Sequence, residues 1–572
     1  MRGCSVPFRG DTSRLYSTRP AALSASVLIL FGCTRSNSPT ETGRASQPGG
    51  VEWGDEVCCD QPTSGFDRLR EEGVARGLDF EIEDGGVENG GNINGGISTG
   101  DMDRDGDLDL IFGSLDTRPK VYLNDGSGFF EALETPEYGL QPLFGTMASQ
   151  HSVIDVDGDG WLDIIQIGLG AVWIYWNRGD LSFSDPELLY NETAWPKPQL
   201  GSMAWGDMDA DGDLDLLVTG LELREQQQSQ EPMPIGHPEI LLRNEGGTFE
   251  VVAELSPDGT SGVNITATFT DRDNDGDQDL FVPADLGQVM ADYPPSAFYR
   301  NDGLGDDGLP TWTNDAPQIG ADVYMSSMGL VTGDWNDDGE LDYCISDIGP
   351  ILCLLSQEDG SYYDGGVALG LQAISSGEAS AWSGWGIEIA DLDNDGLEDA
   401  VASGGQPIGG FSGGRSYPDV IWQGVRGDQA RFLDVTQDVE FGSADDHYGL
   451  VTADFDGDGW LEVVLAGVPG PPLYWQNRCG EEAWVSLELV APAPNWQAFG
   501  ARVELSADDM TWTRELQNVH AMSQHSTDLH YGLGTAEQVD SLRIRWPDGA
   551  LTELEDLPIR RKIRIIHPDL VD

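Results

Sequence analysis

The chain has 572 residues, of which 100 are Asp or Glu and only 30 are Lys or Arg, so its formal net charge at pH 7 is −70. This charge excludes nucleic acid as a partner, because a nucleic-acid-binding protein needs a basic face against the phosphates. The length allows several domains, and a long repeat array would count as one of them.

Residues 1–33 have the pattern of a bacterial signal peptide. Four arginines precede an apolar run at residues 21–32, which is too short to cross a bilayer as a helix. The last residues of the run resemble a lipobox, which predicts lipidation of Cys33. Residues 34–62 are polar and indicate a flexible tether. The sequence therefore predicts a bacterial outer-membrane lipoprotein, with ordinary secretion to the medium or cell surface as the alternative.

An aspartate-rich motif then recurs seven times, and we number the copies loop 1 to loop 7. Each copy places side-chain oxygens at positions 1, 3, 5 and 9 and a glycine at position 6. Alternate side chains can turn inward around one centre, and hard oxygen ligands suit Ca²⁺, which takes roughly six to eight of them. The predicted ligands are Asp101, Asp103, Asp105 and Asp109; Asp155, Asp157, Asp159 and Asp163; Asp207, Asp209, Asp211 and Asp215; Asp271, Asp273, Asp275 and Asp279; Asp334, Asn336, Asp338 and Asp342; Asp391, Asp393, Asp395 and Asp399; and Asp454, Asp456, Asp458 and Glu462.

The motif predicts about seven structural calcium ions. It is not an EF-hand, because an EF-hand needs a glutamate at position 12 and a following helix. Short runs rich in β-branched and aromatic residues follow instead, as expected of strands. The alternative interpretation is a set of Asp- and Gly-rich turns that hold no ion.

The spacing of the loops predicts a repeat architecture. Successive loops begin 52 to 64 residues apart, and each unit has the content of about four strands. Four-stranded units arranged radially form a β-propeller. We therefore predict an all-β fold, with a seven-bladed propeller over residues 63–478 and a small β-sandwich-like domain over residues 483–572.

Two resemblances accompany these motifs. The loop units resemble FG-GAP/VCBS repeats, and residues 499–549 resemble the ASPIC/UnbV domain. The elements that carry the second resemblance are residues 500–503, 523–524, 531–534 and 546–549. Together they resemble a bacterial member of the cartilage acidic protein-like family. The resemblance implies calcium binding and an extracytoplasmic place, and it implies no settled reaction.

The connection after the calcium loop predicts where a ligand binds. If the loop joins the first two strands of a unit, the next connection lies on the opposite face. That connection is long in the third, fourth and sixth units, and long loops on a rigid scaffold commonly carry recognition. We expect a calcium-binding recognition or adhesion protein whose ligand face is opposite the calcium loops.

The expected partner is a glycan or an envelope or surface protein, with membrane contact only through the lipid anchor and a monomeric chain. The alternatives are a polysaccharide-active enzyme and an envelope assembly scaffold. We predict no catalytic residue. Residues 410–414 match G-x-S-x-G, but no helix follows them, as a nucleophile elbow requires.

Cysteines and tryptophans leave alternatives open. Cys344 and Cys353 flank a short turn and form either a cross-strand disulfide or two buried thiols. Cys58 and Cys59 pair with each other or with Cys479. Trp195, Trp382 and Trp385 either stack on a sugar or pack between repeats.

Overall fold

A computed structural model describes residues 50–571 except 60–61, 63–68, 83–94, 114–118, 134–139, 141–149, 169, 180, 193–198, 226–231, 256–261, 288–292, 375–381, 407–416, 427–430, 444, 468–469 and 518–521. The signal peptide, Cys33, Trp195 and the G-x-S-x-G sequence lie outside the described residues and stay predictions. No helix among the described residues is long and apolar enough to cross a membrane.

Strands dominate the described chain, and two 3₁₀ turns and two single-turn α-helices interrupt them. Two strands precede the repeats: β1 (Val51–Trp53) and β2 (Arg70–Glu71), the latter followed by a 3₁₀ turn at Gly73–Arg76. The first three repeats contain β3 (Ile97–Gly100), β4 (Asp109–Phe112), β5 (Lys120–Asn124), β6 (Phe130–Ala132), β7 (Gln150–Ile154), β8 (Asp163–Gly168), β9 (Ala171–Tyr175), β10 (Glu187–Asn191), β11 (Gln199–Gly206), β12 (Asp215–Glu225), β13 (Pro232–Gly236), β14 (Glu239–Glu245) and β15 (Thr248–Leu255).

The remaining repeats contain β16 (Thr268–Thr270), β17 (Asp279–Val282), β18 (Ala297–Leu304), β19 (Pro310–Asn314), α1 (Ala316–Ile319), β20 (Leu330–Gly333), β21 (Asp342–Ile345), β22 (Leu352–Ser356), β23 (Tyr362–Asp364), α2 (Gly366–Leu369), β24 (Gly384–Ala390), β25 (Asp399–Gly404), β26 (Val420–Gly424), β27 (Phe432–Asp434), β28 (His447–Ala453), β29 (Glu462–Gly467) and β30 (Leu473–Gln476). The C-terminal part contains β31 (Ala483–Val490), β32 (Arg502–Ala507), β33 (Met510–Glu515), β34 (Ser523–Gln524), β35 (Leu529–Gly534), β36 (Val539–Arg545), β37 (Leu551–Leu557), β38 (Arg561–Ile566) and a 3₁₀ turn at Pro568–Leu570.

The repeats form seven antiparallel sheets of a β-propeller, each built around four strands. Six of these blades use consecutive strands from one repeat, and the hairpin partner β13 adds to β12 in the third. The seventh blade combines β28, β29 and β30 with β2, so the N-terminal strand closes the ring. The innermost strand β28 also contacts β3 of the first blade. The predicted all-β fold and seven-bladed propeller are confirmed.

The second strand of each blade is buried on both faces, because blades pack against neighbours on either side. The sequences of β4, β17 and β21 are therefore almost wholly apolar after their first aspartate. Apolar clusters fill the spaces between blades. For example, Leu110 and Phe112 of the first blade pack against Val464 and Tyr474 of the seventh.

The C-terminal domain is a sandwich of two four-stranded sheets. One sheet has the order β33-β32-β36-β37, and the other has the order β1-β38-β31-β35. Alternating residues such as Val503, Leu505, Leu542 and Ile563 are buried between them. The sandwich predicted for this region is present.

This domain lies on the face of the propeller that carries loops 1 to 7, rather than beside the propeller. Arg545 donates to Asp271 of loop 4 at 2.6 Å, and Arg502 pairs with Glu340 beside loop 5 at 3.1 Å. Arg514 pairs with Glu398 within loop 6 at 2.6 Å. The domain therefore covers much of this face.

The connection from β33 to β35 enters the central channel. Strand β34 pairs in parallel with β3, and Gln524 bonds both the N–H and the carbonyl of Val153 in the second blade. Gln517 accepts hydrogen bonds from Thr268 and Thr332 of the fourth and fifth blades. Met522 packs in an apolar cluster with Trp385. This segment of the C-terminal domain thus fills part of the channel, which it enters from the face that carries loops 1 to 7.

The structure corrects the predicted tether and resolves the cysteine alternatives. Val51–Trp53 lie in β1 and pair with β38, so this part of the predicted tether, residues 34–62, is built into the C-terminal sandwich instead. Cys59 forms a disulfide with Cys479, which ties the segment before β2 to the end of the seventh blade. Cys344 and Cys353 form the cross-strand disulfide.

Candidate metal centre

Each loop is folded around the aspartate at its first position. In loop 1 the carboxylate of Asp101 accepts the N–H of Asp105 at 3.1 Å and that of Gly106 at 3.0 Å. The first residue of every other loop accepts the two equivalent bonds. One geometry therefore holds for all seven loops.

The glycine at position 6 is required by the backbone. Gly106 has φ of 101°, and the equivalent glycines of the other loops also have positive φ. A side chain is strained in this left-handed region, whereas glycine is not. The glycine that recurs at position 6 of the motif therefore permits the turn of each loop.

The acidic residue at position 9 joins the loop to two strands. In loop 1 Asp109 accepts the N–H of Met102 at position 2 and the N–H of Asn124 on the third strand, both at 2.9 Å. Glu462 performs this role in loop 7, where it accepts from Phe455 and from the side chain of Gln476. The longer glutamate is accommodated because the side chain of Gln476 donates in place of the backbone N–H that the third strand donates in loop 1.

The predicted ligands converge in the loops. Carboxylate oxygens that lie within 4.8 Å of one another come from Asp101, Asp103 and Asp109; from Asp155, Asp157 and Asp163; from Asp207, Asp209 and Asp215; and from Asp271, Asp273 and Asp275. In loop 5 the amide oxygen of Asn336 accepts the N–H of Asp338 at 3.0 Å, so it also faces the inside of the loop.

These donor sets fit calcium. They consist of hard oxygens on a turn that fixes their spacing, which is the chemistry Ca²⁺ prefers. In loop 3 the Oδ1 atom of Asp209 is buried and has no hydrogen-bond donor, as expected of an oxygen reserved for a cation. Bound calcium would supply the positive charge that the clustered carboxylates lack.

The electrostatics of the loops also favour a cation. The pKa of Asp109, Asp163 and Asp215 is raised to about 8 in each case. Burial is the main cause and nearby carboxylates add to it, while hydrogen bonds from backbone N–H groups oppose the shift. Burial likewise raises the pKa of Asp101 to about 6. A carboxylate that is costly to ionise by itself gains most from a bound positive ion.

Loop 4 differs from the others because two arginines lie at its carboxylates. Arg545 is 2.6 Å from Asp271, and Arg272 is 3.5 Å from Asp273 and 3.7 Å from Asp279. Their positive charges repel a second cation at the same oxygens. Among the seven loops, loop 4 is therefore expected to hold calcium most weakly.

Asparagines at the ends of the third strands connect neighbouring loops, and the sequence analysis did not assign them this role. Asn244 donates through Nδ2 to the carbonyl of Leu214 in its own loop and to that of Val156 in the preceding loop. The residues that make this pair of bonds are Asn124, Asn177, Asn244, Asn301 and Asn477. The signal was the recurring asparagine in YLND, YWNR, LRNE, YRND and WQNR.

The sixth blade shows how this link is replaced. Gly424 occupies the asparagine position there and has no side chain to donate. Arg431 instead donates through Nη1 to the carbonyl of Trp335 in loop 5 at 3.0 Å. The carbonyl at position 2 of loop 5 thus also accepts a hydrogen bond from the following blade.

Replacing Asn244 tests the link between loops. Asn244→Ala removes two donors from buried carbonyls and the acceptor for Gly247 N–H. Each buried group left unpaired costs about 1–3 kcal/mol, so we expect a loss of about 2–4 kcal/mol in the free energy of unfolding by urea. The exposed Thr248→Ala is the matched control, expected below about 1 kcal/mol. Equal losses in the two variants would contradict the assigned role.

Family models match both parts of the described chain. A model described as FG-GAP-like repeat matches residues 101–166 and 155–218, and one described as ASPIC and UnbV matches residues 491–571. The chain carries FG-GAP-like repeats and a C-terminal ASPIC/UnbV domain. Loops 1 to 3 of the FG-GAP repeats fall within the matched residues, and loops 4 to 7 share their hydrogen bonds. No curated protein matches the chain.

Several solved structures are similar to the chain at low identity. BBS1N in complex with ARL6DN, soaked with mercury, has 10% identity and a TM-score of 0.39, covering 68% of this chain and 94% of that one. An Agrocybe aegerita lectin that recognises non-reducing terminal N-acetylglucosamine has 17% identity and a TM-score of 0.38, covering 61% and 82%. An ancestral GH74 enzyme has 12% identity and a TM-score of 0.42, covering 68% and 48%. These scores carry no argument about function.

The tryptophans considered for sugar stacking are buried. Trp382 and Trp385 are each 1% exposed, and Trp382 donates to the carbonyl of Pro418. Trp385 packs edge-on against Tyr448. Packing, the alternative interpretation, is therefore correct for both residues.

Proposed function

We propose that the protein is a calcium-binding recognition protein that acts outside the cytoplasm, anchored through a lipidated Cys33. FG-GAP-like repeats are typical of extracellular proteins, and two disulfides fit an oxidising compartment. Calcium would hold each loop in the conformation that joins the first two strands of its blade. The ligand is a glycan or a surface protein.

The observation that supports the proposed ligand face is the position of the ASPIC/UnbV domain. This domain covers loops 4 to 6 through Arg545, Arg502 and Arg514, and its β34 segment enters the channel. A ligand would have to displace these contacts to bind on the calcium-loop face. The opposite face is therefore the better candidate for recognition.

A β-ribbon on that opposite face is a candidate contact surface. Strand β12 continues beyond its blade, and Leu221–Glu225 pair with β13 over Pro232–Gly236. This ribbon comprises much of the long third-unit connection that the sequence marked as a recognition loop. Extra backbone at this point contributes nothing to the four-stranded blade, so it can be shortened without removing a blade strand.

Binding to immobilised glycans tests the proposal. The chain from residue 34 onward is applied to a glycan array in calcium and in EDTA, together with a variant in which residues 222–235 are replaced by a short Gly-Ser turn. Arg543→Ala, at an exposed position of β36 in the C-terminal domain, is the control. We expect retention on a related set of glycans in calcium, lost in EDTA and weakened by the ribbon deletion but not by the control.

Other outcomes identify the competing functions. Glycan spots that are eroded with time would replace recognition by polysaccharide cleavage. A blank array combined with a stoichiometric partner from detergent-solubilised envelopes would restrict the ligand to protein. Retention unchanged by the ribbon deletion and abolished by Arg543→Ala would contradict the proposed face.

A further inference from the structure

Loop 6 is buried in a way that the other loops are not. Its fourth residue, Asn394, is 0% exposed, whereas the residues at the same position in loops 1, 3, 4 and 5 are exposed. Its ligand residues Asp391 and Asp399 are each 1% exposed, and Asp393 is 5% exposed. Three of the four predicted ligands of loop 6 are therefore buried, and Asp395 at position 5 is exposed.

Strand β35 of the ASPIC/UnbV domain covers loop 6. His530 Nε2 lies 2.8 Å from Asn394 Oδ1, and the N–H of Gly534 donates to the carbonyl of Asn394 at 2.8 Å. A Cβ on Gly532 would lie 1.9 Å from Asp391 Oδ2. The backbone of β35 thus rests directly on a ligand carboxylate, and glycine is required there for this close approach.

Two further contacts hold β35 and loop 6 in place. Arg514 pairs with Glu398 at 2.6 Å and lies over the ring of Tyr531 in β35. Asn394 also donates through Nδ2 to the carbonyl of Gly459 in loop 7. Exposing the buried carboxylate of Asp391 from this side therefore requires β35 to separate from the propeller.

We propose that loop 6 holds a partly occluded calcium ion, whose exchange with solvent is slowed by strand β35 of the ASPIC/UnbV domain. This inference rests on the proposed calcium binding. Arg545 and Arg502 touch loops 4 and 5 with single side chains, whereas at loop 6 the backbone of β35 lies against a ligand carboxylate and must move before the ion exchanges on that side. Such partial opening is slower and rarer than the fluctuation of an exposed loop.

Isotope exchange on the full chain tests the inference. The protein is loaded with ⁴⁵Ca²⁺, chased with excess unlabelled calcium, and the label retained is followed with time. We expect one ion per chain to leave at least tenfold more slowly than the rest. Asp393→Ala should abolish this slow phase, and the matched Asp103→Ala at the same position of loop 1 should leave it intact.

A variant in β35 distinguishes slow exchange caused by the covering strand from slow exchange caused by tight binding alone. His530→Phe keeps an aromatic ring beside Trp484 but removes the bond to Asn394. It should accelerate the slow phase at least threefold while the total calcium content is unchanged. Gly532→Ala is a second variant expected to accelerate it.

Three results would overturn the inference. They are release of all label in a single fast phase, a slow phase that survives Asp393→Ala, and a slow phase whose rate neither variant in β35 changes. A chain that binds no calcium at all contradicts the proposed function as well, so the two failures are distinguishable.

Discussion

Removing calcium is expected to lower the melting temperature of the full chain by more than about 15 °C. An ion that binds only the folded state at 100 times its Kd stabilises that state by about 2.7 kcal/mol per site. In a propeller of roughly 400 residues each kcal/mol corresponds to about 1 °C, so about five of the seven sites suffice. The seven shared loop geometries are the reason to expect that several sites contribute.

Calorimetry in 1 mM calcium and in EDTA measures this effect. Magnesium in place of calcium is the control, because Mg²⁺ gives up its waters reluctantly and is rarely held by protein oxygens alone. Magnesium should recover little of the lost stability. A melt in EDTA within about 2 °C of the melt in calcium would contradict a structural role for the ions.

The calcium-free protein is expected to become less stable as the pH rises from 6.5 to 8.5. Burial raises the pKa of Asp109, Asp163, Asp215 and Asp279 to about 8, whereas in the unfolded chain these groups titrate near 3.8. Between those values the folded state binds more protons than the unfolded state. Its stability is therefore lost as the pH rises through the folded-state pKa.

The pH window excludes two buried histidines but not His447, whose pKa is lowered by burial and raised overall by the neighbouring Asp419. Burial lowers the pKa of His151 to about 4 and that of His530 to about 3, so these groups destabilise the fold only below their unfolded value of 6.5. Urea denaturation is measured at pH 6.5 and 8.5 in EDTA and again in calcium. Because His447 titrates in both buffers, the difference between them isolates the carboxyl groups of the loops. Calcium should stabilise the protein more at pH 8.5, and a stability in EDTA that increases with pH would contradict this account.

The local features of the fold were predictable because they repeat in the sequence. The glycine at position 6, the alternate carboxylates and the strands after each loop are set by neighbouring residues. The disulfide between Cys344 and Cys353 was also accessible, since a short turn places the two strands side by side. Because the aspartate-rich motif occurs seven times, the number of blades could be predicted.

Pairings between distant parts of the chain were not predictable in this way. Strand β2 has two residues and completes a blade whose other strands begin at His447. Strand β1 pairs with β38 at the opposite end of the chain. Neither has a local signal, because both take their partners from surfaces that exist only after the propeller and the sandwich are assembled.

The segment in the channel and the loop-to-loop asparagines were missed for different reasons. The segment uses ordinary polar residues such as Gln517 and Gln524, whose partners are groups of distant blades. The asparagines recur visibly, but asparagine is also common in turns, so its recurrence alone indicates no bond between blades. Their donation to two carbonyls depends on the packing of adjacent blades.

The calcium content of the purified chain tests the central claim most directly. Protein dialysed against a low concentration of calcium is analysed by atomic emission spectrometry together with its concentration, so that ions per chain are counted. The account predicts about seven, with loop 4 the first to empty as calcium is lowered. A chain that retains its fold and contains no calcium would contradict it.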